Sequence, residues 1–277
     1  MKVIVTGASG FVGQRVVREL IGRGVKTCAV ARHPVEFPNS VVVDNYSDTP
    51  IGDILIHLAE NPNRAQVNEI GDAYLSRAVA LANSLVSKGY QRIVYASSAV
   101  VYGDREKKRH KPIDPVLASD VYAQSKIECE MLFHNNSGVI ARISNLYGAG
   151  MSTENVVSRV IQQVRCAGAV KVRSDKPIRD FLWVDDASNA LVEMALGKAK
   201  GIYNVASGRA VSVGELIDIA LLSSGADKHL NRSLTKSNNE HSTIMLDISD
   251  TSDSFGWTPK MNLEDGVELL LNYPMRA

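Results

Sequence analysis

The sequence predicts an α/β protein: a doubly wound parallel sheet with a smaller C-terminal lobe. Three observations carry this. Short apolar runs without polar alternation recur through the first half of the chain, helical patterns separate them, and the first run leads straight into a glycine-rich turn. Strands without alternation are buried on both faces, and parallel pairing needs helical crossovers.

The elements follow in order. Val3 to Val5 is an apolar strand, and Val12 to Gly22 a helix with apolar positions at Val16, Val17, Leu20 and Ile21. Strands are expected at Thr27 to Ala31, Val41 to Val43, Ile54 to Ile56 and Arg92 to Ala96. Between the last two, Ala73 to Lys88 is helical and stops at Gly89. A helix over Val121 to His134 precedes a strand over Val139 to Ile143. Later helices are expected at Asn155 to Ala167, Asp186 to Leu196 and Val213 to Ser223, with short strands near Val170 to Val172 and Ile202 to Asn204. The polar stretch Asp227 to Ser242 reads as a surface loop, and the basic run Arg105 to Lys111 as a solvated loop or as one that draws an anionic ligand toward a site.

Lys and Arg number 31 against 30 Asp and Glu, a net charge of +1 that gives no global pull toward nucleic acid or membrane. Cys28, Cys129 and Cys166 form neither a CxxC pair nor a metal-ligand spacing, so reduced thiols and no metal are expected. The chain enters its first strand directly after Met1-Lys2, without a signal-peptide pattern, and no apolar run approaches the ~18–20 residues of a membrane span. A cytoplasmic location is expected.

Thr6 to Gly13, TGASGFVG, joins the first strand to the first helix. Gly7 permits the tight turn, Gly10 lets a pyrophosphate approach the backbone, and Gly13 lets helix and strand pack closely. The helix N-terminus offers free N–H groups to phosphate. The turn with Ser9, Phe11 and Val12 therefore predicts a Rossmann-like dinucleotide site. Residues 1–145 are the expected cofactor domain. Residues 146–277 form mainly a substrate-binding lobe, with segments returning to the first domain.

The GxxGxxG spacing resembles the extended short-chain dehydrogenase/reductases, specifically the epimerase/dehydratase branch that modifies nucleotide sugars. So do His57-Leu58-Ala59, the segment Ser97 to Gly103, Tyr122-Ala123-Gln124-Ser125-Lys126, Arg142 to Gly148, Arg179-Asp180-Phe181, Val184-Asp185-Asp186 and Gly256-Trp257-Thr258-Pro259. The resemblance implies Leu58, Ala59 and Asp44 as further cofactor contacts, and a dimer through the helix bearing the YxxxK pair. It also implies catalysis by Ser98, Tyr122 and Lys126. Tyr122 and Lys126 are one helical turn apart, and an ammonium favours the phenolate of a tyrosine, which ionises near ~10 when free. Lys126 would also hold a cofactor ribose, and Ser98 would bind the reacting oxygen.

Dehydrating members carry Asp-Glu after the hydroxyl residue; here Ala99 and Val100 stand there, and the loop has no cysteine. Hydride chemistry without those groups remains: reduction of a 4-keto sugar, slightly favoured, or 4-epimerisation. A reductase of a non-sugar carbonyl and a non-catalytic dinucleotide sensor are the competing readings. Ala31 and Arg32 end the second strand where NAD-binding relatives place an acid, so NADP is favoured over NAD, Arg32 either clasping the 2′-phosphate or standing free in solvent. Arg179 is expected on a substrate pyrophosphate or in an ion pair with Asp180, and Asn145 on substrate or in shaping its loop. The arginine that usually precedes the Gly-Trp segment is missing, with Lys236 the nearest substitute. Residues 44–53 are too few for the usual helix, and the family's cofactor-contacting Asn falls at Ala73, with Asn68 nearby.

Overall fold

The computed structural model describes residues 1–166, 169–225, 233–234 and 242–273. Strand β1 (Lys2–Thr6) runs into helix α1 (Gly13–Gly22), and β2 (Lys26–Ala31) and β3 (Ser40–Val42) follow. The chain then returns to β4 (Ile54–His57), α2 (Arg64–Ile70), α3 (Asp72–Val86) and β5 (Arg92–Ser98). After β6 (Arg109–His110) come α4 (Val121–Asn135), β7 (Val139–Ile143) and β8 (Asn145–Tyr147). The second half holds α5 (Val156–Arg165), β9 (Lys171–Val172), β10 (Ile178–Trp183), α6 (Val184–Leu196), β11 (Gly201–Val205), β12 (Ala210–Ser212) and α7 (Val213–Ser223). Then follow β13 (Ser233–Leu234), β14 (Thr243–Leu246), α8 (Ser249–Phe255) and α9 (Leu263–Asn272).

Seven parallel strands form the main sheet in the order β11-β7-β5-β4-β1-β2-β3. The first crossover goes from β1 to β2, and the later return to β4 lands on the other side of β1. The order thus reverses at β1, and the crevice outside the carboxyl ends of β1 and β4 is the natural ligand seat. The central strands are buried on both faces, as their unalternating sequences require, whereas all three residues of the edge strand β3 are exposed, Val41 and Val42 among them. Val3 and Val5 pack with Val16, Leu20 and Leu191 of α1 and α6, whereas Ile4 packs with Leu85 and Phe133 of α3 and α4. A separate core gathers Val160, Phe181, Trp183, Leu216 and Val267, where α5, α7 and α9 surround β10.

Several elements differ from expectation. Helix α2, strands β8, β10, β12 and β14, and helices α8 and α9 were not legible as such. In the run Arg105 to Lys111, Arg109 and His110 form β6, paired with Met245 and Leu246, so this segment is partly sheet. Only a 3₁₀ turn, Tyr46–Asp48, occupies the short connection before β4. Most of the stretch Asp227 to Ser242, with Lys236, lies outside the described residues. The segments Val184-Asp185-Asp186 and Gly256-Trp257-Thr258-Pro259 meet. Asp186 accepts from Lys260 and Met261 N–H at 3.0 and 2.9 Å, and its carbonyl from Trp257 Nε1 at 3.2 Å. That pair of motifs is a clasp in the fold.

Candidate active site

The glycine turn lies at the reversal point. Gly7 has φ +70°, and a Cβ there would lie 2.7 Å from the Leu58 carbonyl oxygen. At Gly13 a Cβ would lie 2.1 Å from the Gly7 carbonyl oxygen, so helix and turn touch only because the residue is glycine. Around Gly10 the one close atom is that same oxygen, at 3.1 Å, which leaves its outer side open. A cavity of about 680 Å³ runs from Gly7, Gly10 and Phe11 past Ser98 to Tyr122 and Lys126. A second, of about 540 Å³, runs from the same turn past Ser9 and Ala59 to Arg32. Gly7, Gly10, Leu58 and Glu60 border both, so the two halves make one groove across the carboxyl ends of β1 and β4.

Ser98 ends β5, and its hydroxyl accepts from the Val100 N–H at 3.3 Å. Tyr122 stands in the first turn of α4, whose N-cap Asp120 accepts from the Ala123 N–H at 2.8 Å. Lys126 follows one turn later and its ammonium lies 5.9 Å from the centre of the Tyr122 ring. The fold thus brings Ser98, Tyr122 and Lys126 to one cavity. Lys126 is buried, and it donates to Glu60 at 2.5 Å and to the Ala96 carbonyl at 2.9 Å. Tyr95 donates to the other Glu60 oxygen at 2.8 Å. Burial by itself would raise the Glu60 carboxyl, but the Lys126 charge and the hydrogen bonds from Lys126 and Tyr95 outweigh it and hold it low. Burial likewise opposes the Lys126 ammonium, and Glu60 more than restores it.

The remaining expected residues divide. Arg32 is exposed and borders the smaller cavity at the end of β2. Val12 caps α1 and, with Gly13, borders the larger cavity. Asp44 is exposed and lines neither cavity. Asn145 is exposed on β8, opposite Phe181, and its neighbours Ser144 and Leu146 line the cavity in its place. Arg179 also stays off the cavity wall: its guanidinium donates to the Ile178 carbonyl at 2.8 Å and to the Ser242 carbonyl and hydroxyl at 2.9 and 2.5 Å. Asp180 is directed elsewhere, accepting from the Ser207 and Gly208 N–H groups at 2.7 and 2.9 Å. Asn68 and Ala73 line neither cavity. Asn68 accepts from the Tyr122 N–H at 3.0 Å and donates to Asp120 at 2.9 Å, docking α2 onto the start of α4.

The family model for the NAD dependent epimerase/dehydratase family matches residues 3–206. The chain belongs to this family. A putative UDP-glucose 4-epimerase of Methanocaldococcus jannaschii is 26% identical over 303 aligned positions, covering 98% of this chain and 97% of that one. UDP-glucuronic acid decarboxylase 1 of Arabidopsis thaliana is 24% identical, covering 98% of this chain and 69% of the relative. Among solved structures, the UDP-glucose 4-epimerase of Thermotoga maritima with UDP-glucose superposes with a TM-score of 0.85 at 21% identity, covering 99% of this chain and 98% of that one. MoeE5 in complex with UDP-glucose and NAD superposes with a TM-score of 0.83 at 25% identity, covering 98% and 97%.

A dinucleotide fits this groove on the chain's own geometry. The cradle at Gly10 is open where a side chain would fill it, and the groove continues from the turn in both directions. Glu60, Asn61 and Arg64 also border the larger cavity, and reasoning from sequence missed all three. Glu60 directly follows His57-Leu58-Ala59 at the end of β4. A carboxylate at the carboxyl end of a central strand was the signal available.

Proposed function

We propose that this enzyme transfers hydride at a sugar carbonyl of a nucleotide-activated sugar, with 4-keto reduction slightly favoured and 4-epimerisation the alternative. The observation that carries the proposal is the convergence of Ser98, Tyr122 and Lys126 on the cavity that starts at the glycine turn. Bound NAD(P) would supply or accept the hydride. The turn at Gly7, Gly10 and Gly13 would hold its pyrophosphate, and Lys126 its ribose. Ser98 would hold the substrate oxygen while the Tyr122 hydroxyl delivers or takes the proton.

Ala99 is buried, and with Val100 it belongs to an apolar cluster, so neither can move a second proton. Of the carboxylates on the cavity wall, Glu60 is held by Lys126 and Tyr95, and Glu154 by Arg159. This disfavours dehydration. A nucleotide sugar is supported by the relatives, whose names specify UDP-glucose and UDP-glucuronic acid.

NADP over NAD is the finer part of the proposal. Ala31 is buried at the end of β2, and the exposed Arg32 follows on the groove wall. No carboxylate there repels a 2′-phosphate, and a guanidinium can make paired hydrogen bonds to it. Calorimetric titration should show NADPH binding more tightly than NADH, and Arg32→Ala should remove most of that advantage. Equal wild-type affinities would make Arg32 a surface residue.

The reaction is tested by supplying NADPH with 4-keto nucleotide sugars, and separately NAD with UDP-hexoses. Consumption of NADPH supports the reductase. Interconversion of 4-epimers without net cofactor change supports the alternative, and neither reaction overturns both.

A further inference from the structure

We infer that Glu60 is a positioning residue of the proton relay, which holds the Lys126 ammonium and offsets its charge at Tyr122, biasing the phenol toward the proton-donating direction of carbonyl reduction. This rests on the relay assigned above and gives that site a preferred direction. Reduction of a ketone needs a neutral phenol to protonate the oxygen; oxidation of an alcohol needs a phenolate to remove a proton.

The geometry is that of a closed pair. Glu60 and Lys126 meet at 2.5 Å with little solvent contact, the ammonium donates a second hydrogen bond to the Ala96 carbonyl, and the Tyr95 hydroxyl donates to the other carboxylate oxygen. An unpaired ammonium so near the Tyr122 ring would strongly favour the phenolate, since charges interact strongly where water is excluded. Glu60 places an opposite charge directly against it.

The other groups around this pair add little charge. On β4, His57 is buried 4.0 Å from Glu60 and drawn down to about 4 by burial, so it is neutral. Tyr74 on α3 is pushed up to about 12, and burial also raises Tyr95 on β5 and Cys129 on α4. Farther along α4, Glu130 is matched by Arg142, and at the helix start Asp120 is matched by Arg64. The ammonium nearest the Tyr122 ring is therefore that of Lys126, 5.9 Å from its centre, and Glu60 is the carboxylate paired with it.

The experiment reads Tyr122 directly and needs neither substrate nor cofactor. Tyrosinate ultraviolet absorbance is followed against pH for the wild type, Tyr122→Phe, Glu60→Gln and the double variant. Each difference isolates the Tyr122 contribution. Glu60→Gln keeps the size and polarity of the side chain but removes its charge. The Tyr122 midpoint should then fall by about one pH unit or more. A midpoint that stays or rises overturns the inference. Should Glu60→Gln not fold, Glu60→Ala takes its place: a fall in the Tyr122 midpoint relative to the wild type supports the inference, and a midpoint that stays or rises overturns it. Turnover of Tyr122→Phe is a separate reading. Near-normal turnover would remove the relay itself, whereas an unmoved midpoint would remove only the part played by Glu60.

Discussion

At the scale of single residues, two groups that border the groove make testable claims. Tyr122 is buried but borders the cavity, so Tyr122→Phe removes a hydroxyl and leaves the ring packing. Turnover should fall by at least ~100-fold while dinucleotide affinity survives. Steady-state kinetics with a parallel binding titration checks this, and near-normal turnover would eliminate Tyr122 as the proton-transferring group. His57 carries a stability claim. It is buried beneath the turn, with Nδ1 2.8 Å from the Thr6 hydroxyl, and burial draws its pKa down to about 4. Unfolded, it ionises near ~6.5. The folded state thus binds fewer protons in that window, so this contribution is full above ~6.5 and declines as pH falls toward 4. Between about pH 7 and pH 5 the loss is about 2 kcal/mol. Urea unfolding at both pH values should show a larger loss in the wild type than in His57→Gln; equal losses would contradict the assignment.

At the scale of elements, the start of α4 matters most, because Tyr122 lies in its first turn. Asp120 is the N-cap, and it also receives Arg64 Nε at 2.5 Å and the Asn68 amide. Exposed salt bridges contribute little, but a lost N-cap costs ~1 kcal/mol, so the cap outweighs the ion pair. Asp120→Ala should therefore lower stability by about 1–2 kcal/mol. It should also reduce turnover, since α2 then keeps only the bond from the Tyr122 N–H to Asn68 and loses the Arg64 and Asn68 contacts to the cap of the helix that carries Tyr122. Thermal unfolding and kcat measured together check this; stability lost with kcat unchanged would show that α2 does not help place Tyr122. Helix α2 itself shows why sequence reasoning passed it by. Arg64–Ile70 is short, buries only Val67, and is held by the polar cap of Asn63 and by Asn68. No apolar stripe marks it.

At the scale of the whole molecule, the main sheet is not finished by the first half of the chain. β11 pairs with β7 from Gly201 to Val205, and α6 covers the face formed by Val3, Val5 and Val94. A fragment ending at residue 145 would lose both and expose that face to water, at ~25 cal/mol per Å² of apolar surface. Such a fragment should show no cooperative thermal transition by circular dichroism, whereas the full chain should. A fragment that melts cooperatively would make residues 1–145 a self-sufficient domain. The groove has the same dependence. Its side at the glycine turn comes from β1, β2 and β4, but Met151, Ser152 and Asn155, from the segment before α5 and its cap, also line the larger cavity.

The sequence by itself determined the parallel sheet, the turn at Gly7, Gly10 and Gly13, and the pairing of Tyr122 with Lys126. Each depends on local spacing: unalternating apolar runs, glycines where a strand meets a helix, two side chains one turn apart. What no local spacing contains was decided by tertiary structure. Glu60 lies 66 positions from Lys126, and only the return of β4 beside β1 brings them together. Arg179, expected on a substrate pyrophosphate or in an ion pair with Asp180, donates to Ser242 in a neighbouring segment of the lobe. A charged side chain goes where its nearest unsatisfied partner lies, and burial makes that choice costly to refuse.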